Sequence, residues 1–225
     1  IDLIKNNRKN FQIELLSTYE NIKKLLDQSN EFNVKNVIIF NKKKYDKYKS
    51  LFIKKKINVY NNFDNPKKIL KKKIDVTICG ISGLAGLKPL LSSVKISNKI
   101  AVANKESIIC GWPLIKKELK LNKTIFIPID SEHFSIWKLI ESIDNNFIDT
   151  IYITASGGPF FKKKYKNIKN VNPKLALKHP NWKMGKKITI DSATMMNKVF
   201  EVVEAKKIFN LNIDKIKILI HPNSF

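Results

Sequence analysis

Two carboxylates, Asp130 and Glu132, flank Ser131 directly after an apolar run at residues 124–129. In an extended segment their side chains fall on one side, because successive side chains alternate. Neighbouring carboxylates repel unless a proton or a cation bridges them. A hard divalent ion such as Mg²⁺ or Mn²⁺ suits such oxygen donors. The same residues also fit a helix start, with Asp130 or Ser131 as the cap and an acid in the first turn. A second cluster, Ser192, Asn197, Lys198 and Glu201, falls within about three helical turns. Asn197 and Glu201 share a helical face, and Lys198 neighbours Glu201 at three-residue spacing. Lys198 can offer positive charge to a phosphate, with Ser192 and Asn197 as hydrogen-bond partners. Glu201 can complete an oxygen shell with Asp130 and Glu132, and Glu204 is a further acid. An ordinary surface Lys–Glu pair fits that spacing too, although Met195, Met196 and Phe200 add apolar bulk around it.

His179 heads a loop containing Pro180, Trp182 and Met184. Such a loop can close as a lid and exclude water; a structural histidine is the plainer reading. Ser156 precedes Gly157 and Gly158, where a hydroxyl and backbone amides can hold a phosphate. His133, at the expected helix start, and His221, near the last residue, have weaker cases. Three signatures are absent from the sequence: a Gly-x-Gly-x-x-Gly fingerprint, a CxxC or His-rich zinc spacing, and a Gly-x-Ser-x-Gly elbow.

The elements that must position these groups alternate between strand and helix. Strands are expected at 12–16, 36–40, 57–60, 74–79, 99–103 and 124–129. Helices are expected at 19–28, 44–52, 84–94 and 106–119, the last interrupted near Gly111 and Pro113. This order predicts an α/β fold, a doubly wound (Rossmann-like) parallel sheet. Ligands in such sheets bind beyond the carboxyl ends of the strands. Gly80–Gly83, Asn104–Ser107, Asp130–His133 and Thr154–Gly158 all follow predicted strands. From about Ile151 the pattern changes to a less regular α+β order. Strands are expected there at 149–153, 188–190 and 215–221, with a helix capped by Asp191 or Ser192 running to about Phe209.

The 225 residues carry 43 Lys+Arg against 19 Asp+Glu, for a formal charge of +24. A hydrophobic fraction of 43% supports a packed core. The charge invites a basic nucleic-acid-binding protein as the alternative function. Against that, Arg8 is the only arginine, and base readout favours Arg. The lysine runs at 42–44, 54–56, 71–73 and 162–164 flank apolar segments and read as solvated faces. No apolar run reaches the ~18–20 residues of a membrane span. Cys79 and Cys110 sit in apolar sequence and fit a reducing compartment.

Several segments closely resemble the 1-deoxy-D-xylulose 5-phosphate reductoisomerase family. They are Ala103-Asn-Lys-Glu-Ser107, Pro128-Ile-Asp-Ser-Glu-His133, Thr154-Ala-Ser-Gly-Gly-Pro-Phe160, His179-Pro-Asn-Trp-Lys-Met-Gly185 and Ile220-His-Pro-Asn-Ser224. The most specific is Asp191-Ser-Ala-Thr-Met-Met-Asn-Lys198, continued by Glu201 and Glu204. The resemblance implies an NADPH- and Mg²⁺- or Mn²⁺-dependent enzyme of non-mevalonate isoprenoid synthesis. Such enzymes rearrange and reduce 1-deoxy-D-xylulose 5-phosphate to 2-C-methyl-D-erythritol 4-phosphate; a reductase of another sugar phosphate is a further alternative. Carried over by position, the metal ligands are Asp130, Glu132 and Glu201. Substrate contacts are Lys105, Ser131, Ser156, His179, Trp182, Ser192, Asn197 and Lys198. Of these, Lys105, His179 and Lys198 join Glu201 as the catalytic set. Cofactor contacts are Asn104, Glu106, Gly185 and Asn21.

The resemblance also implies domains: 1–128 as a partial NADPH-binding unit and 129–225 as an incomplete catalytic, metal-binding unit. The family's Gly-rich NADP turn and its C-terminal helical domain have no counterpart in this sequence, so the chain alone is expected to be inactive and to bind NADPH weakly. The full protein is expected to be a homodimer of the bacterial cytoplasm or of a plastid, acting on a small molecule and not on nucleic acid or membrane. Val199 stands where the family usually has Gly and is expected to disturb helix packing. Glu20 lies where the 2′-phosphate of NADPH would be read.

Overall fold

The computed structural model describes residues 1–161, 171–178 and 185–221. The elements run α1 (Asp2–Asn6), β1 (Leu15–Thr18), α2 (Ile22–Glu31), β2 (Asn36–Ile39), α3 (Lys42–Lys54), β3 (Asn58–Tyr60), α4 (Pro66–Ile69), β4 (Ile74–Cys79), α5 (Leu87–Val94), β5 (Ser97–Val102) and α6 (Lys105–Asn122). They continue β6 (Ile125–Pro128), α7 (Ser131–Ile140), β7 (Ile151–Ala155), α8 (Pro173–Ala176), α9 (Lys186–Ala193), α10 (Met196–Phe209) and β8 (Ile216–Ile220). All strand pairs are parallel, in the orders β1-β2-β3, β4-β5-β6 and β7-β8. Helices connect the successive strands from β1 to β6, as a doubly wound fold requires. The expected single sheet is two, because β1 and β4 are not hydrogen-bonded to one another.

Local chemistry explains the helix starts. Asn21, Asn41 and Asn104 each accept a hydrogen bond from a backbone N–H three residues on, which satisfies an otherwise orphaned donor. Val37, Ile39, Leu25, Phe52 and Ile57 form one core around β2. Ile100, Val102, Ile108, Ile115 and Leu119 pack β5 against α6 in a second. A third joins Ile136 of α7, Ile153 of β7, Ala205 and Phe209 of α10 and Ile216 of β8. Each fully buried aliphatic side chain stabilises the fold by about 1.5–3 kcal/mol.

Four expectations need correction. Helix α6 is continuous through Gly111 and Pro113. Its apolar face, Ile108, Ile115 and Leu119, is buried on both sides of the proline, and that packing outweighs one lost hydrogen bond. Residues 188–190 lie within α9 rather than in a strand. The β-branched Ile188-Thr189-Ile190 run looks strand-like, but local propensity yields to context: Thr189 Oγ1 donates to the Gly185 carbonyl, and Lys187 pairs with Asp191 at helical spacing. No single helix therefore runs from Asp191 to Phe209; Met195, at φ +60°, breaks the chain before α10. Finally, the apolar run 74–79 reads as a buried strand but is only partly covered, with Val76 and Ile78 exposed, and Cys110, expected among apolar neighbours, is exposed on α6.

Candidate active site

Strand β6 delivers its chain into α7 at Asp130. Asp130 holds the N-cap position but makes no side-chain cap bond. Its carboxylate turns inward instead. Oδ2 lies 3.1 Å from Lys105 Nζ, and Oδ1 lies 3.3 Å from His133 Nδ1. Glu132 sits in the first turn of α7, so the pair converges from a helix start and not from an extended segment. Glu132 Oε1 accepts from Lys198 Nζ at 2.7 Å, and its other oxygen accepts from Ser131 Oγ. Glu201, 1% exposed on α10, accepts from Lys105 at 3.4 Å and from Asn197, and Lys198 Nζ contacts its other oxygen. Lys105 also donates to Asn197 Oδ1 at 2.9 Å. The expected face sharing on α10 is therefore realised. It is no surface pair, because Lys198 and Glu201 are both buried.

One carboxylate oxygen from each of Asp130, Glu132 and Glu201 lies within 4.8 Å of the other two. Three acids against two lysines leave a net negative charge in a poorly solvated place. The consequences differ by residue. Burial, with the like charge of Glu132, pushes Glu201 above the ordinary carboxylate range, against the pull of Lys198 and Lys105. Burial also disfavours the charged form of Asp130, but hydrogen bonds and charge from His133 and Lys105 outweigh it and hold Asp130 well below its usual value. Lys105 loses solvation as well, yet Asp130 and Glu201 raise its pKa on balance. Oxygen donors this close, with excess negative charge, fit a small hard dication.

These groups line one open cleft of about 1160 Å³ with Ser131, Ser156, Ser192 and His221. Within it Ser156, Gly157, Ser192, Met195, Asn197 and Lys198 enclose a recess of about 20 Å³. Gly158, at φ +69°, lets the turn after β7 press against the end of α9: a Cβ there would meet the Ser192 carbonyl oxygen at 2.6 Å. The glycine pair thus brings Ser156 and Ser192 to one wall.

The expected cofactor residues lie apart from this cleft. Asn104 caps α6 and donates to the carbonyls of Ile81 and Gly83, which ties the turn after β4 to the end of β5. Glu106, in the first turn of α6, pairs at 2.8 Å with Lys187 of α9. Gly185 caps α9, and nothing lies within 4 Å of where its Cβ would be. Asn21 caps α2 beyond β1. Asn21 follows the carboxyl end of β1, and Asn104 and Glu106 follow that of β5, where a parallel sheet receives a dinucleotide; Gly185 comes instead from the start of α9. His179 and Trp182, together with the rest of 179–184, fall outside the described residues. Val199 is exposed on α10, so it displaces no packed neighbour.

Two buried residues emerge more strongly than the sequence suggested. His133 is fully buried, and its Nε2 donates to the Glu201 carbonyl oxygen at 2.9 Å. Glu204, 1% exposed, places Oε2 3.4 Å from His133 Nδ1. Burial and the nearby Asp130 and Glu201 push the Glu204 carboxyl up to about 7 despite His133 and Lys105. The signal was spacing: His133 is three residues from Asp130, and Glu204 is three from Glu201. Lys187 bridges Asp191, four residues on, and Glu106 of α6; the second contact had no such signal because the two are remote in sequence.

Comparison with known proteins places this geometry. The family model described as 1-deoxy-D-xylulose 5-phosphate reductoisomerase matches residues 1–111, and the one for that enzyme's C-terminal domain matches 126–209. A reductoisomerase of Pelagibacter ubique is 56% identical over the whole chain, and one of Caldanaerobacter subterraneus is 40% identical. The chain spans 58% of the length of each of these relatives. The Zymomonas mobilis reductoisomerase in complex with NADPH superposes with a TM-score of 0.88 at 33% identity, over 99% of this chain and 57% of that one. A reductoisomerase in complex with NADPH, fosmidomycin and magnesium gives 0.86 at 32% identity, over 98% of this chain and 57% of that one. Matched in order by both models and across its full extent by these relatives, the chain belongs to the 1-deoxy-D-xylulose 5-phosphate reductoisomerase family.

Proposed function

We propose that the full-length protein bearing this chain is an NADPH-dependent oxidoreductase. It converts 1-deoxy-D-xylulose 5-phosphate to 2-C-methyl-D-erythritol 4-phosphate with the help of Mg²⁺ or Mn²⁺. One observation carries the reading: Asp130, Glu132 and Glu201 converge within 4.8 Å, with Lys105 and Lys198 between them. Family membership and the NADPH and magnesium of the related structures support it.

The three carboxylates hold the divalent ion, which supplies Lewis-acid polarisation of substrate oxygens. Lys198 is placed to reach the substrate phosphate, together with Ser156, Ser192 and Asn197 around the small recess. Ser131 and Lys105, which line the same cleft, present donors to the sugar oxygens. Such preset donors favour charge that develops during the rearrangement. His179 and Trp182 are assigned to substrate by resemblance alone. NADPH would supply the hydride, with Asn21 after β1, Asn104 and Glu106 after β5, and Gly185 at the start of α9 as its contacts. Asn104 orders the turn after β4 for that purpose.

Residues 1–128 then serve as part of the NADPH-binding unit and 129–225 as part of the catalytic unit. The gap between the two matched spans, 111 to 126, lies beside that boundary. The full protein is assigned as a homodimer of the bacterial cytoplasm, or of a plastid in a eukaryotic host. No described helix is long and apolar enough to cross a membrane.

The test is NADPH oxidation by the full-length protein with the sugar phosphate, before and after removal of divalent ions. Oxidation should stop on chelation and return with Mn²⁺ or Mg²⁺. An undiminished rate in stripped protein would overturn the metal assignment, and no oxidation under any condition would overturn the activity.

A further inference from the structure

A buried pair behind the carboxylates takes no part in the steps above. His133 is fully buried and Glu204 is 1% exposed. The imidazole spans two helices. Its Nε2 donates to the backbone carbonyl of Glu201 on α10 at 2.9 Å, so the proton on that nitrogen is fixed. Its Nδ1 faces Asp130 Oδ1 at 3.3 Å and Glu204 Oε2 at 3.4 Å. Phe209 stacks beside the ring at 6.4 Å between centroids. One side chain therefore engages the carboxylate of one proposed ligand and the backbone of another.

Asp130 needs this support. It sits at a helix start without a cap bond, so its own helix does not orient it. Lys105 holds one carboxylate oxygen and His133 faces the other. Glu204 Oε2 also lies at Nδ1, within 4.8 Å of an Asp130 oxygen, and accepts no hydrogen bond. A buried carboxylate costs several kcal/mol of lost solvation unless something compensates it. Its retention at this point calls for a task, and the geometry offers one: Glu204 sets the imidazole, and the imidazole sets Asp130.

We infer that His133 and Glu204 are positioning residues of the metal centre. They fix the Asp130 carboxylate and tether α10 at Glu201, so that three oxygens meet the cation without rearranging. The inference rests on Asp130, Glu132 and Glu201 being the ligands. Neighbours that orient metal ligands typically change metal affinity about 10–100-fold when removed.

The experiment compares full-length wild type with Glu204→Gln, which keeps the shape, and with His133→Asn. Mn²⁺ is titrated and the free ion is followed by electron paramagnetic resonance. Each variant should weaken Mn²⁺ binding about 10–100-fold, in line with other removals of such partners. NADPH affinity should be unchanged, and kcat should recover at saturating Mn²⁺, a split that a general folding defect would not give. Wild-type Mn²⁺ affinity in Glu204→Gln overturns the inference, as does lost kcat with unaltered metal binding. Two Mn²⁺ per wild-type chain, falling to one in His133→Asn, would make the pair ligands of a second ion and overturn it as well. Failure of the wild type to bind Mn²⁺ at all would instead remove the reading of the three carboxylates, and this inference with it.

Discussion

Replacing Glu201 by Gln removes one charge and almost no volume. In the wild type three carboxylates face Lys105 and Lys198, leaving one net negative charge for an incoming dication. In Glu201→Gln that net charge is zero. A pair of unit charges about 4 Å apart interacts by ~4 kcal/mol in a partly screened protein site and ~1 kcal/mol in water. A dication doubles these figures, so the variant should lose between about 2 and 8 kcal/mol of metal binding. The site opens into a wide cleft, which favours the lower end. Even about 2 kcal/mol weakens binding roughly 30-fold. Calorimetric titration of Mn²⁺ into the full-length variant measures this directly, and turnover should fall by orders of magnitude while NADPH affinity is retained. Mn²⁺ affinity within about threefold of wild type would refute the charge balance, because the smallest expected effect is about tenfold larger. Unchanged turnover at saturating Mn²⁺ would refute Glu201 as a ligand.

Three further outcomes follow from the geometry. Gly158→Ala forces a Cβ onto the Ser192 carbonyl at a positive φ, which should cost about 2–4 kcal/mol; thermal unfolding should show a clear drop in Tm, and an unchanged Tm would remove the proposed close approach of β7 and α9. Burial pushes the Cys79 thiol up to about 11 from an ordinary 9.0, so near pH 8 it presents roughly 100-fold less thiolate than an ordinary thiol; exposed Cys110 should therefore react first with a disulfide reagent, and equal rates measured by mass spectrometry would contradict the packing. Burial opposes ionisation of Glu106, but the hydrogen bond and charge of Lys187 lower its pKa on balance. A carboxylate lowered in the folded state stabilises above its unfolded pKa and loses that stabilisation as pH falls through the folded value. The Tm difference between wild type and Lys187→Met should hence be present near neutral pH and vanish in acid; a difference that grows on acidification would break the assignment.

The order of strands and longer helices was legible because periodicity changes sharply between strand and helix in the first 128 residues; the short helices α1 and α4 were not foreseen. Within those residues predicted and observed strands coincide at Ile74–Cys79 and differ otherwise only at their ends. Where the reading failed, a tertiary contact decided. Pro113 looks like a breaker until the packing of Ile108 and Ile115 is seen. Ile188-Thr189-Ile190 looks like a strand until Thr189 bonds back to Gly185 and Lys187 finds Asp191. The division into two three-stranded sheets carries no local signal at all, since it depends on whether β1 and β4 meet.

The site was legible for a different reason. Candidate groups at strand ends and on one helix face are fixed by short-range geometry, so spacing alone joined Asn197 to Glu201; Asp130 and Glu132 also converge, but from a helix start and not from the extended segment that alternation suggested. Spacing could not choose between a helix cap and a cation site, because both put an acid where α7 begins. In the structure Asp130 takes the N-cap position without a side-chain cap bond, and its oxygens face Lys105 and His133. The same logic explains why His133 and Glu204 were undervalued. Each lies three residues from a proposed ligand, yet their importance comes from burial and from the meeting of α7 with α10, a contact spanning 68 residues of sequence. A sequence shows which residues share a face. It does not show that two faces close upon each other and exclude water, and that exclusion turns a routine His–Glu pair into a fixed support for the Asp130 carboxylate.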